Sequence, residues 1–353
     1  SVTAVAIQSL VGGTGADTIT LTTAVGTSGT GAILELGTGA DVINLASGAN
    51  FITVTDVASE ATGIAVTGGA GVDTVSFTNL LGTGTTGSVI NLGSGADVLN
   101  LSTGSGTNVI ALSDDAGGVT INGTTGDDTL KLTLPLAASA SGVVNLGSGA
   151  DVIVLASGAN TLTITDVASE ATGITVTATG GGVDNITFTT LLGSGTGTGA
   201  AAQINLGSGA DAITLASGAN NVYITDADGL ITVTSTGGGA NTIAFASVLA
   251  SGAVLTLGAG NDVVTLKDGT NVVSIADSTS GSTGLSVTGG TGADTITLTT
   301  AVGTSGSGAI LNLGTGADVI NLASGANFIT VTDLASEATG ISVTGGAGVD
   351  TVS

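Results

Sequence analysis

The chain has 353 residues, of which 62 are glycine and only 2% are aromatic, and it carries 26 acidic residues against two basic ones. The formal net charge of −24 excludes nucleic acid and anionic membranes as partners. Because the chain has no His and no Cys, it also lacks disulfides, thiol catalysis, the usual general base and the usual zinc ligands. No apolar run approaches the roughly 18 residues of a membrane span, so we expect no membrane insertion.

Internal repetition divides the chain into two parts. Residues 1–11 do not match the equivalent residues 278–288, and we interpret them as an atypical N-terminal segment. Residues 12–76 recur almost unchanged as residues 289–353, which defines a super-repeat of 277 residues. We therefore read residues 12–353 as one continuous repeat array that stops in mid-repeat and continues in a longer protein.

A shorter period lies inside the super-repeat and is marked by Gly-x-Gly-x-Asp motifs. We call the Asp residues of the leading motif of each unit the first series: Asp17, Asp73, Asp128, Asp184, Asp294 and Asp350, with Asn241 in the equivalent place of another unit. The following motif of each unit gives a second series: Asp41, Asp97, Asp151, Asp211, Asp262 and Asp318. Five units of about 55 residues make one super-repeat.

Each unit contains about five short turn-and-strand steps. In the first unit, turns precede the predicted strands at 17–21, 32–36 and 64–66, and two consecutive nonapeptides, 36–44 and 45–53, each contain a turn followed by a strand. Each strand alternates apolar and polar residues. Such half-buried strands cannot bury their apolar face alone, so equivalent strands must stack above and below. The predicted fold is all-β, a parallel β-solenoid of the β-roll or β-helix type with a core of Ile, Val and Leu.

The odd number of strands leaves the cross-section open. In a flat coil with two faces, five strands per unit would move each motif to the opposite edge in the next unit. Either a sixth short strand lies within residues 21–31, or the coil has another cross-section.

One motif indicates metal chemistry. Gly12-Gly13-Thr14-Gly15-Ala16-Asp17-Thr18-Ile19-Thr20 matches Gly-Gly-x-Gly-x-Asp-x-apolar-x at every fixed position, and residues 68–76 and 289–297 match as well. The chain resembles the RTX (repeats-in-toxin) family of calcium-binding β-roll proteins, in the branch of S-layer proteins and very large surface adhesins. The resemblance extends over the whole array.

The resemblance implies several Ca²⁺ ions between successive turns. The implied ligands are one carboxylate per motif and nearby turn carbonyls: Asp17, Asp41, Asp73, Asp97, Asp128, Asp151, Asp184, Asp211, Asp262, Asp294, Asp318 and Asp350, with the carbonyls of Gly13, Gly15, Gly37, Gly39, Gly69 and Gly71. Ca²⁺ takes roughly six to eight oxygens and accepts carbonyls beside carboxylates. Stacked carboxylates about 4.7–4.9 Å apart would repel one another without counter-ions, so we expect folding to depend on calcium.

An alternative needs no metal, because Asp or Asn also closes a Gly-rich turn by bonding to its own backbone. The second series has Leu in place of the first Gly, which weakens the metal interpretation there. A third column carries Asn instead of Asp: Asn50, Asn108, Asn160, Asn220, Asn271 and Asn327. Its turns fit Asn side-chain hydrogen bonds without metal.

Four further pairs of acidic residues are interpreted as solvated charges on exposed loops. They are Asp56 with Glu60, Asp166 with Glu170, Asp333 with Glu337, and Asp114 with Asp115. The pairs four residues apart suggest acid–base catalysis, but no base or aromatic pocket accompanies them. We expect no enzyme activity, because a hydroxyl nucleophile also needs an activating base and only carboxylates are present.

These features predict an extracellular structural protein at a bacterial cell surface, as an S-layer, a surface filament or an adhesin stalk rigidified by calcium. The partners expected are calcium and further repeats, either of the same chain or by self-association. The alternative is a binding module in which columns such as Thr18 with Thr20, or Thr53 with Thr55, present a flat array to ice or carbohydrate.

Overall fold

The computed structural model describes residues 2–4, 8–56, 63–81, 87–102, 106–114, 117–136, 141–166, 173–178, 180–193, 201–235, 237–250, 252–277, 284–333 and 340–353. These residues form strands and turns, and no helix occurs among them. Accordingly, this part of the chain has no helix that could cross a membrane. The chain divides into two compact units, residues 1–167 with 174–180 and residues 168–173 with 181–353.

The first unit is a parallel β-solenoid with two sheets. Each strand pairs in parallel with the strand two places further along the chain, so odd-numbered strands form one sheet and even-numbered strands form the other. The strands are β1 (Val2–Ala4), β2 (Ser9–Thr14), β3 (Thr18–Leu21), β4 (Ala32–Thr38), β5 (Val42–Asn44), β6 (Phe51–Asp56), β7 (Ala65–Thr67), β8 (Thr74–Phe77), β9 (Ser88–Asn91), β10 (Asp97–Asn100), β11 (Val109–Ser113), β12 (Val119–Thr125), β13 (Thr129–Leu132), β14 (Gly142–Ser148), β15 (Val152–Leu155), β16 (Thr161–Asp166) and β17 (Thr175–Ala178).

The second unit repeats this arrangement within itself, with the same alternation of odd and even strands between two parallel sheets. Its strands are β18 (Asn185–Phe188), β19 (Ala202–Leu206), β20 (Asp211–Leu215), β21 (Asn221–Asp226), β22 (Ile231–Ser235), β23 (Thr242–Phe245), β24 (Ala253–Thr256), β25 (Val263–Thr265), β26 (Val272–Ala276), β27 (Ser286–Thr291), β28 (Thr295–Leu298), β29 (Ala309–Thr315), β30 (Val319–Asn321), β31 (Phe328–Asp333), β32 (Ser342–Thr344) and β33 (Thr351–Val352).

One coil of the solenoid, meaning two strands and two turns, takes about 23 residues. Ile19 is in register with Ile43, and Ile52 with Val75. Along each strand alternate side chains point inward, as Ile52 and Val54 do from β6. The parallel solenoid and its aliphatic core are therefore confirmed. Burying each such side chain contributes roughly 1.5–3 kcal/mol, and the stacked coils provide the surface that one strand lacks.

The coil does have two faces, and each motif changes edge from one 55-residue unit to the next. In the second series, Asp41 precedes β5 and Asp151 precedes β15 in one sheet, whereas Asp97 begins β10 in the other. The expectation of a sixth strand or of another cross-section is wrong, since residues 22–31 contain no strand. Five strands make two and a half coils, so successive units begin at opposite edges.

The turns stack so closely that glycine is required at Gly71. Its φ is +127°, and a Cβ atom there would meet the backbone of Gly48 at 2.7–2.9 Å. An L-residue would be strained by both effects. The glycines of the motif thus permit close approach of neighbouring coils.

Candidate functional site

Most of the motif Asp residues are buried where a strand begins. The side chains with at most 2% exposure are those of Asp41, Asp73, Asp97, Asp128, Asp151, Asp184, Asp211, Asp262, Asp294 and Asp318. Asp17 and Asp350 are partly exposed. The predicted residues therefore do share one kind of environment, the inside of a turn at the edge of the sheets.

Hydrogen bonds join these residues into ladders that run from coil to coil. The Asn50 N–H donates to Asp73 Oδ1 (2.9 Å), and the Asp73 N–H donates to Asp97 Oδ1 (2.7 Å). The ladder begins where the buried Val25 N–H donates to Asn50 Oδ1 (3.1 Å). We call such a set an Asx ladder. Each rung satisfies a buried backbone N–H that no sheet partner reaches.

The same ladder recurs through both units, always with the donor in the coil that comes earlier in the chain. The first unit has Asn108–Asp128–Asp151 with N–H to Oδ1 distances of 2.9 and 2.8 Å. The second unit has Asn220–Asn241–Asp262 (3.1 and 2.8 Å) and Asn271–Asp294–Asp318 (2.9 and 2.8 Å). Within each unit, residues of the third column and of both Asp series thus belong to the same hydrogen-bonded ladders.

The Asn at the start of each ladder also closes its own turn. Asn50 Nδ2 donates to the carbonyl of Ala46 (2.7 Å), to that of Gly48 (2.9 Å) and to Asp73 Oδ1 (2.9 Å). This is the Asn-closed turn that the metal-free interpretation predicts for the third column. Asn241 shows that an amide also serves at the middle rung, because its Oδ1 accepts the Asn220 N–H.

The second oxygen of several ladder carboxylates is buried without a hydrogen bond. It is Oδ2 in each of these residues: Asp73, Asp97, Asp128, Asp211, Asp262 and Asp294. Burial, with a smaller contribution from the nearby carboxylates of Asp114 and Asp73, raises the pKa of Asp97 to about 7 against the lowering effect of the ladder hydrogen bond. Burial likewise raises the pKa of Asp211 to about 6. Charge on these groups is therefore costly unless something neutralises it.

A second set of buried acids was missed in the sequence. Asp114, Asp166, Asp226 and Asp277 follow the ladder Asn by six residues, and their exposed fractions are only 1–6%. The interpretation of Asp114 and Asp166 as solvated loop charges is wrong, because the edge of the solenoid encloses both side chains. The sequence pattern could have revealed their burial. Residues i and i+6 of one strand face the same side of the sheet, and the ladder Asn at position i faces inward.

The other acidic residues that were interpreted as solvated charges are either partly exposed or outside the described residues. Asp56 is partly exposed. Glu60, Asp115, Glu170, Glu337 and the side chain of Asp333 lie outside the described residues. For clarity we call the buried residues Asp114, Asp166, Asp226 and Asp277 the strand-closing acids.

The ladder leaves one oxygen available for a cation in the six carboxylates named above for their buried Oδ2. Oδ1 accepts a backbone N–H, whereas the Oδ2 atoms without a hydrogen bond are carboxylate oxygens, which are ligands that Ca²⁺ prefers. In the described part of the chain, no three acidic groups come together as a metal cluster. The residues therefore fit calcium through Oδ2, with other ligands needed from the backbone or from water.

The predicted carbonyl ligands are partly occupied by contacts between coils. The Gly69 carbonyl accepts the Ser94 N–H (3.1 Å). Between the motif glycines, the carbonyls of Thr38 and Ser94 accept the N–H groups of Gly15 (2.5 Å) and Gly71 (2.7 Å). The turns are thus bonded to one another through their backbone as well as through the Asx ladders.

The chain was compared with protein-family models, with curated proteins and with solved structures, and no match was found. The class that the geometry itself defines is a parallel β-solenoid with buried Asx ladders.

Proposed function

We propose that this chain is a structural segment of an extracellular repeat protein of the RTX-like branch, such as an S-layer, a surface filament or an adhesin stalk at a bacterial cell surface. The observation that carries the proposal is the Asx ladder, which commits the buried polar side chains of each edge to holding one coil on the next. A ladder of this kind serves cohesion of the stack. Further repeats, from the same chain or from another copy, are the partners this architecture suits.

We propose further that calcium stabilises the stack. The support is electrostatic: the chain has a net charge of −24 with two basic residues, and the buried Oδ2 atoms of Asp73, Asp128 and Asp262 have no hydrogen-bond donor. A divalent cation bound by Oδ2 would offset the repulsion between ladder carboxylates and would bind the folded state alone.

A calcium titration of the chelated chain tests this proposal. Addition of Ca²⁺ is expected to increase the β-sheet circular dichroism signal and to raise the thermal midpoint, because a ligand at 100 times its Kd stabilises by about 2.7 kcal/mol per site. Sodium chloride at matched ionic strength serves as the control, since it screens charge without entering a site. An unchanged spectrum and melting temperature on adding Ca²⁺ would refute the role of calcium.

A second candidate function rests on one column of the second unit. Thr187, Thr214, Thr234 and Thr256 are in register on four successive strands of the even-numbered sheet and face outward. Their spacing of about 4.7–4.9 Å suits a repetitive ligand such as ice or a carbohydrate.

The test of this candidate is the change of one threonine in the middle of the column. Thr234→Lys is expected to abolish thermal hysteresis or glycan-array binding, because the side chain interrupts the flat array. Thr297→Lys is the matched control on the same sheet, where the neighbouring residue in register is Asn321. A chain without either activity, or equal loss in both variants, contradicts a binding function for this column.

A further inference from the structure

Two buried carboxyl groups meet where an Asx ladder ends. In the second unit the last rung is Asp211, whose Oδ1 accepts the Asp184 N–H (2.7 Å). Asp226, at the end of β21, is the strand-closing acid of the adjacent coil and is in register with Leu206, the last residue before the turn that leads to Asp211. Burial, followed by repulsion from the carboxylates of Asp228 and Asp211, raises the pKa of Asp226 to about 6. The side chains of Asp211 and Asp226 are both 1% exposed.

One carboxylate oxygen of Asp211 and one of Asp226 lack a hydrogen-bond donor. Asp211 Oδ2 and Asp226 Oδ2 are both buried without a hydrogen bond. Asp226 Oδ1 is approached by the Asp228 N–H (3.3 Å). Asp228, two residues further along the chain, directs its own oxygens to the N–H groups of Gly209 (2.9 Å) and Leu230 (3.2 Å).

Backbone N–H groups therefore donate hydrogen bonds to Oδ1 of Asp211 and of Asp226. Oδ2 of each carboxylate has no donor and is left beside an acidic neighbour. Two anionic oxygens in such surroundings repel each other strongly, because solvent screening is lost on burial. Neither Lys appears among the groups that act on Asp211 or Asp226. The pair needs a positive partner that the chain itself does not provide.

The first unit has the same arrangement in an independent copy. Asp97 is the last rung of the ladder that begins at Asn50, and repulsion from the strand-closing acid Asp114 contributes, after burial, to raising the pKa of Asp97. Asp97 is 1% exposed and its Oδ2 has no partner. The Asp97 N–H donates to the Gly118 carbonyl (3.0 Å), just as the Asp211 N–H donates to that of Leu230 (3.1 Å). The turn above the pair thus has equivalent backbone geometry in both copies.

We propose that these ladder-end pairs, Asp211 with Asp226 and Asp97 with Asp114, are binding sites for a hard divalent cation such as Ca²⁺. The inference rests on the proposed role of calcium and locates it at the end of the ladder. It adds the strand-closing acids, which lie outside the Gly-x-Gly-x-Asp motif, as ligands. It also separates these sites from the middle rungs, where Asn241 replaces Asp without loss of the ladder.

The experiment is a count of bound calcium by isothermal titration of the full chain with CaCl₂ after removal of metal. Asp226→Asn is expected to lower the number of bound Ca²⁺ ions by one per chain. It is also expected to raise the thermal midpoint in chelator, because it removes the repulsion within the pair. That second readout shows that the variant is folded.

Asp268→Asn is the matched control, because it removes the same charge from an exposed turn of the second unit, where Asp268 Oδ1 accepts the Thr291 N–H (3.0 Å). It is expected to leave the calcium count unchanged. A full count in Asp226→Asn, or an equal loss in Asp268→Asn, overturns the ladder-end assignment while calcium binding as such stands. A wild-type chain that binds no calcium overturns both this assignment and the proposed role of calcium.

Discussion

Asn50→Leu is expected to destabilise the first unit by about 3–6 kcal/mol. The substitution removes the acceptor of the buried Val25 N–H and the donor to the Ala46 and Gly48 carbonyls. Each buried polar group left without a partner costs about 1–3 kcal/mol, and Asn50 itself is fully buried, so water cannot replace the lost bonds. Urea denaturation, with amide hydrogen exchange at Val25, measures the effect and locates it.

The companion variant Asn50→Asp separates hydrogen bonding from charge. It keeps the shape and the acceptor oxygen but replaces the Nδ2 donor with a carboxylate facing Asp73 Oδ1. The loss of stability should therefore be greater at pH 8 than at pH 4, where protonation of a carboxyl group restores a donor.

Asn44→Thr is the control, because Asn44 lies on the outer side of β5 and makes only a long bond of 3.4 Å to Thr20 Oγ1. Its effect should stay within about 0.5 kcal/mol. If Asn50→Leu and Asn44→Thr cost the same, the Asx ladder does not hold the coils together in the way described.

In the presence of chelator, the free energy of unfolding is expected to fall as the pH rises from about 4 to about 8. Burial raises the pKa of Asp97 to about 7 and those of Asp211 and Asp226 to about 6, and it also raises the pKa of Asp128, Asp262 and Asp294. In the unfolded chain these groups titrate near the ordinary Asp value, so the folded state binds more protons between the two pKa values.

The sign follows from that difference. The stabilisation is fully present below the unfolded pKa and is lost as the pH rises through about 6 to 7, at roughly 1.4 kcal/mol for each unit by which a pKa is raised. Thermal melts across this pH range measure it. The profile is the reverse of that of a protein whose carboxylates are held in salt bridges, which loses stability in acid.

Asp97→Asn provides the internal control for this pH dependence. It removes a group whose pKa is raised to about 7, so the decline between pH 6 and 8 should become shallower. A profile of the wild-type chain that is flat, or that rises with pH over this range, would show that the buried carboxylates are neutralised in another way.

The sequence by itself determined the kind of fold. Alternating apolar residues in short strands, repeated at a fixed spacing, dictate that the strands stack, because a single strand such as β6 buries only Ile52 and Val54 and needs neighbours above and below. The positions of the turns and of the buried Asp and Asn residues also followed from the motif, since turn residues depend on local backbone conformation.

Only the tertiary structure decided what those residues contact. Asn50, Asp73 and Asp97 are more than 20 residues apart in turn, and they form one ladder because the coil length of about 23 residues places them above one another. The burial of Asp226 depends likewise on the coil that packs against it. Local patterns specify which way a side chain points along its own strand, whereas the partner it meets is set by the register between coils.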